Sequence, residues 1–190
     1  GAVVDVTDEA AFTDWTGTVA ERFGGIDIFI PNVSAMPDKG WDEMMATDIK
    51  AVVDGTETVL PHLQRSEHAS VVYIGSKTST FGTPGIEAYG AAKAAATHYM
   101  KSLALRVAGD GIRVNVVSPG DTFVEGGWWD ALRKERPEVY REALAGNPMG
   151  RFGKPEEAAR LVCFLASPAA GFVSGAHILS DGASTRHVHG

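Results

Sequence analysis

A single cysteine, Cys163, in 190 residues leaves no internal disulfide framework and no cysteine-rich zinc or iron–sulfur site. No apolar run approaches the roughly 18 residues that a membrane-spanning helix needs. Basic residues are outnumbered: 17 Lys and Arg against 24 Asp and Glu give a net charge of −7. That is the wrong sign for a sequence-independent grip on nucleic acid. A charged-then-apolar leader, an internal repeat and a low-complexity tract are all missing. Of the six histidines, His62, His68, His98 and His177 are scattered. His187 and His189 lack a third ligand at metal spacing, so a frayed polar tail is expected there and no metal site. Together the absences predict a soluble cytoplasmic protein, with neither nucleic acid nor membrane as an expected partner.

What is present is ordinary globular material, 44% hydrophobic and 22% charged, enough for one domain over residues 1–190 with a sizeable core. Strand and helix alternate along it. Ala2-Val3-Val4 reads as a first strand. Thr7 or Asp8 can cap a helix carrying Phe12, Trp15, Val19 and Phe23, which Gly24-Gly25 ends. Ile26–Ile30 is a continuous apolar run, the pattern of a strand buried on both faces, and Pro31 stops it. A helix is expected over about 41–63, a strand over 70–74, an alanine-rich helix over 87–108 and a strand over 112–117. One or two helices follow over 128–145, then a helix from Pro155 to about Ala166 and a last strand at His177–Leu179. This alternation predicts α/β architecture: a parallel sheet covered on both faces. Cys163, between Val162 and Phe164, reads as a core residue, and Met44-Met45 as facing core and neighbouring helix. The chain opens on Gly1 and runs straight into a strand-like stretch, as if entered partway through.

Open parallel sheets bind ligands beyond the carboxyl ends of their strands. The residues that follow the strands are Asp5 and Val6; Asn32, Val33 and Ser34; Gly75, Ser76 and Lys77; and Ser118, Pro119, Gly120 and Thr122. Tyr89 and Lys93, four apart on the following helix, share a face. An isolated phenol, with a pKa of about 10, is a poor base at neutral pH. An ammonium nearby favours phenolate, so the pairing predicts an acidified tyrosine that trades protons with a carbonyl or alcohol oxygen. Ser76, at a strand end, is placed to hydrogen-bond the same oxygen.

These residues resemble the short-chain dehydrogenase/reductase family. Tyr89-Gly90-Ala91-Ala92-Lys93 matches its Tyr-x-x-x-Lys motif, with Ser76 at the place of its catalytic serine. Asn115-Val116-Val117-Ser118-Pro119-Gly120 matches the strand and turn that contact the nicotinamide, and Asp5-Val6 resembles the pair that touches adenine. Gly150–Glu157 and Ser174-Gly175 through Asp181-Gly182 resemble the closing segments, so the likeness spans essentially the whole chain. It implies a doubly wound, Rossmann-like parallel sheet and hydride transfer between NAD or NADP and a carbonyl or secondary alcohol. It makes Tyr89 the general acid/base, Ser76 the holder of the substrate oxygen, and Lys93 the residue that binds the ribose hydroxyls and acidifies Tyr89. Asn32, Val33, Ser34, Pro119, Gly120 and Thr122 would line the cofactor cleft, and Gly126–Trp129 would shape substrate preference as an apolar lid. A dimer or tetramer built through the two long helices and the last strand is implied as well.

Three departures from the family pattern stand out. Pro31-Asn32-Val33-Ser34 replaces Asn-Asn-Ala-Gly and keeps only Asn32. Asp48 stands where the family's fourth catalytic residue is an asparagine, and its charge is expected to oppose ionisation of Tyr89. No glycine-rich phosphate-binding turn stands near the start, so the first two strands of the family sheet are expected to be absent. A catalytically silent binding or structural subunit is therefore the alternative; saturable NAD(P)H binding by this chain distinguishes the two.

Overall fold

The computed structural model describes residues 1–187. Four parallel strands lie side by side in chain order: β1 (Ile28–Phe29), β2 (Ser70–Ile74), β3 (Arg113–Pro119) and β4 (His177–Ser180). The register sets Val71 beside Val114 and Val117 beside Ile178. Parallel neighbours cannot be joined by a hairpin, so every connection carries helix. α1 (Glu9–Phe23) leads into β1, and a helix from Trp41 to Leu63 leads into β2. α4 (Glu87–Val107) leads into β3. α5 (Trp128–Glu135), α6 (Pro137–Ala145) and α7 (Pro155–Ala166) lead into β4.

Side-chain alternation splits the core into two layers. Val71 and Tyr73 of β2 pack with Val114 and Val116 of β3 against Leu63, Met100 and Leu103 from the long helices. Val72 and Val117 turn to the opposite face and meet Val162, Leu165 and Ala166 of α7. The sheet is thus a doubly wound α/β sheet with helices on both faces.

Several expectations change in detail. Ala2–Val4 forms no strand: Val3 is fully exposed, while Val4 and Val6 rest against the core without joining the ladder. β1 is therefore an edge, paired on one side only and over two residues, not over the whole 26–30 run. Ile28 and Ile30 are 45% and 41% exposed, not buried on both faces. In α1 the cap is Asp8, whose side chain accepts from Ala11 N, and Gly24 closes the helix at φ +82°. The buried positions of α1 are Phe12, Thr16 and Ala20; Phe23 is exposed.

The helix from 41 to 63 is interrupted. α2 (Trp41–Met44) passes into a wide π turn, Met45–Lys50, before α3 (Ala51–Leu63) resumes. The extra residue shifts the helix phase, and Asp48 within it is fully buried. Met44 faces the core, whereas Met45 is exposed. The 128–145 stretch divides at Arg136-Pro137, where Pro137 opens α6. Cys163 is exposed, contrary to its apolar surroundings in sequence. Helical phase is the reason: Val162, Leu165 and Ala166 take the buried stripe of α7, and Cys163 falls outside it. His189 lies outside the described residues.

The start of α7 is tied by charge. Arg151 donates to both Glu157 carboxylate oxygens at 2.7 and 2.6 Å, and Lys154 N donates to Glu157 Oε2 at 2.8 Å. The Arg151 hydrogen bonds, then the Lys154 amide, hold the Glu157 carboxyl down to about 2. A lowered folded-state value means that this contribution is complete above the ordinary carboxyl range. It is lost as pH falls through about 2. Melting temperatures recorded from pH 6 to pH 2 should fall more steeply for the wild type than for Glu157→Gln, which lacks the titrating group.

Candidate active site

The loop after β1 and the carboxyl ends of β2 and β3 open onto a cleft of about 710 Å³. Ser76, just beyond β2, caps a short 3₁₀ turn (Lys77–Thr80); its Oγ accepts from Thr78 N at 3.3 Å and from Thr78 Oγ1 at 2.9 Å. Tyr89 sits in the first turn of α4, and Lys93 one turn later on the same face. The Lys93 ammonium is drawn inward. Its Nζ donates to Ile74 O at 3.4 Å and lies 3.1 Å from Asp48 Oδ1, with the two side chains 4% and 0% exposed. Asp48 also accepts from Ser34 Oγ at 2.6 Å and from Ala35 N at 2.8 Å. The π turn thus delivers a carboxylate that clasps the lysine and the loop after β1 together.

Tyr89 stands above its ordinary value, against the acidification expected from Lys93 and in line with the opposition expected from Asp48. Burial is the leading cause, and it raises the phenol above its ordinary value; a hydrogen bond with the Ser76 hydroxyl pulls the other way, and the Asp48 charge adds to the rise. Lys93 Nζ lies 5.7 Å from the Tyr89 ring centroid and 3.1 Å from Asp48 Oδ1, so the ammonium expected to acidify the phenol stands closer to the carboxylate. Burial pulls the Lys93 ammonium below its ordinary range, and the Asp48 carboxylate pushes back. Tyr73 lies beside them, its ring centroid 5.3 Å from Lys93 Nζ. Its buried hydroxyl has no hydrogen-bond partner among the described residues. A protonated Tyr89 near neutral pH is a proton donor first and a base only at alkaline pH.

Asn32, Ser34, Ser76, Tyr89, Lys93, Pro119, Gly120 and Thr122 are brought together along the cleft. Asp48 stands behind Lys93, away from the lining. Asp5, Val6 and Val33 are not part of the wall. The Asp5 carboxylate accepts from Thr7 N and Thr7 Oγ1 at 2.9 and 2.7 Å, a local turn at the entry to α1. Val6 packs on the core and Val33 is exposed. Because residues 1–8 do not enter the sheet, they do not reach the crevice at its end. The turn at Gly120 is tightly built. Gly120 N donates to Ser180 O at 3.0 Å, and a Cβ there would stand 2.6 Å from Asp181 Cα. Gly120→Ala should force the β3 and β4 turns apart and lower unfolding free energy by about 1–3 kcal/mol, read from denaturant titration.

Sequence reading missed a second ion pair. Lys77 Nζ lies 2.5 Å from Asp121 Oδ2 and 3.3 Å from Ser184 Oγ, joining the turns after β2, β3 and β4. The available signal was a cation next to Ser76 and a carboxylate next to Gly120, both at strand ends facing one crevice.

Residues 2–185 match the short-chain family model described as Enoyl-(Acyl carrier protein) reductase. The chain belongs to the short-chain dehydrogenase/reductase family. It is 36% identical over 187 residues to isoepoxydon dehydrogenase of Penicillium expansum, covering 96% of this chain and 72% of that protein. It is 34% identical over 189 residues to the 3-oxoacyl-(acyl-carrier-protein) reductase of Thermotoga maritima, covering 95% and 74%. Among solved structures, an NADPH-bound short-chain oxidoreductase of Pseudomonas aeruginosa, described as having an atypical catalytic centre, superposes with a TM-score of 0.88. It is 26% identical, with 98% of this chain and 76% of that one covered. A short-chain dehydrogenase implies a nicotinamide dinucleotide. The donors at the cleft fit the nicotinamide riboside half: the Lys93 ammonium, the Tyr89 phenol and the hydroxyls of Ser34, Ser76 and Thr122, beside a turn kept bare at Gly120. The expected adenine contacts, Asp5 and Val6, lie outside it.

Proposed function

We propose that this short-chain dehydrogenase, taken as one domain, reduces the carbonyl group of a small molecule with NADH or NADPH, and in reverse oxidises a secondary alcohol. The observation that carries this reading is the meeting of Ser76, Tyr89 and Lys93 at one cleft, with Tyr89 kept protonated by burial. A bound nicotinamide would supply the hydride. The Ser76 hydroxyl donates to the substrate oxygen and fixes it beside the phenol. Tyr89 gives its proton to that oxygen as negative charge develops there. Lys93, fixed by Asp48, offers its remaining donors to ribose hydroxyls, and Asn32 and the Pro119–Thr122 turn hold the cofactor's reactive end. Family resemblance supports assembly as a dimer or tetramer in the cytoplasm; among the described residues no helix is long and apolar enough to cross a membrane.

The test is a titration of NADH and NADPH onto the purified chain, followed by loss of reduced-cofactor absorbance with a panel of ketones. Saturable binding and ketone-dependent oxidation of one cofactor are expected. A folded chain that binds neither is the silent subunit.

A further inference from the structure

We propose that the cleft is built for an uncharged substrate with an apolar or aromatic body, and that the Lys77–Asp121 pair is the element that turns carboxylate-bearing substrates away. This rests on the carbonyl reductase reading above and names its substrate class. Two observations carry it. The first is the state of the cleft's charges. Lys77 and Lys93 both line the cleft, and each already has a carboxylate partner, at 2.5 and 3.1 Å. Both pairs are sheltered: the side chains of Lys77 and Asp121 are 15% and 13% exposed. An incoming carboxylate would have to displace Asp121 from Lys77, stranding one anion beside another in a poorly solvated wall. Lys77 Nζ also donates to Ser184 Oγ at 3.3 Å, and that hydroxyl is itself tied to Asp181 Oδ2 at 3.3 Å, so the ammonium is held at two points and has little freedom to swing toward a ligand.

The second observation is the remainder of the wall. Met36, Ile86, Val124, Trp128 and Trp129 face the same space as Tyr89. Trp129 is fixed from behind, its ring 4.9 Å from Phe152 and 6.5 Å from Tyr140, with Tyr140 and Phe152 themselves in edge-to-face contact. An aromatic wall braced in this way offers a flat apolar body good contact at little ordering cost. A neutral ketone meets it without disturbing either ion pair.

The probes are acetophenone and its para-carboxylate analogue, 4-acetylbenzoate. Binding is measured by calorimetry with and without NADPH, alongside initial rates. The wild type should bind acetophenone and hold 4-acetylbenzoate at least about tenfold more weakly, a factor equal to ~1.4 kcal/mol. Asp121→Asn frees the Lys77 charge and should narrow or invert that ratio. Lys77→Met removes the cation and should leave the ratio as large as in the wild type or larger. Equal affinity of the wild type for both ketones, no binding of acetophenone, or equal shifts in the two variants would overturn the proposal, the last because a structural disturbance would move both alike. Hydride transfer to both ketones at equal rates sinks the substrate class and leaves the reductase reading standing. A preserved binding preference without hydride transfer does the reverse.

Discussion

Tyr89→Phe should lower kcat for ketone reduction by about 10²–10⁴-fold, the span that a positioned proton donor contributes, while NADPH affinity changes little. The substitution removes one hydroxyl from a half-buried ring and leaves the Lys93–Asp48 pair intact. The Ser76 hydroxyl keeps its contact with Thr78. Stability should therefore fall only slightly, by about 1 kcal/mol, the scale of one hydrogen bond. A kcat lowered less than tenfold with unchanged cofactor binding would remove Tyr89 from the chemistry. Circular dichroism and a thermal melt on the same sample separate this from loss of fold.

Asp48→Asn should shift the pH dependence toward neutrality. Burial raises the Tyr89 phenol first, and the Asp48 charge raises it further. As a donor the phenol acts below its pKa, so wild-type reduction should hold steady through neutral pH and decline only on the alkaline side. With the carboxylate neutralised the phenol ionises more easily, and that decline should begin at lower pH. The oxidative direction, which needs phenolate, should gain activity at lower pH than in the wild type. The same variant leaves the Lys93 ammonium buried without its counter-charge. Breaking a buried pair from one side costs about 3–5 kcal/mol, moderated here because an asparagine oxygen still accepts from Ala35 N or Lys93. Ser34→Ala is the matched control: it removes a 2.6 Å hydrogen bond to Asp48 and keeps the charge, so it should cost stability without moving the limb. An unchanged pH–rate profile in Asp48→Asn would show that the carboxylate does not govern Tyr89.

Local signals carried much of the architecture. Pro155 and the apolar spacing after it marked α7 to its last residue, and the four-residue step from Tyr89 to Lys93 put both on one face of α4. What escaped was non-local or depended on helix phase. A repeat of 3.6 residues cannot reveal a single widened turn, so the π segment that buries Asp48 had no signature in the sequence. The charge argument for Tyr89 weighed Lys93 against Asp48 but left out burial, which leads the rise and comes from tertiary packing that residue spacing does not count. Cys163 was misplaced because its sequence neighbours are apolar on both sides of the helix. The short β1 reflects strand partners, which periodicity does not count.

The most direct test of the account is isotope transfer. NADH and NADPH carrying deuterium on either face of nicotinamide C4 are incubated with the purified chain and a neutral ketone, and the alcohol is analysed by mass spectrometry. The account predicts deuterium at the carbinol carbon from one face of one cofactor, with incorporation falling in Tyr89→Phe in step with kcat. Alcohol formed without label from either face, or label arriving undiminished in Tyr89→Phe, would contradict it.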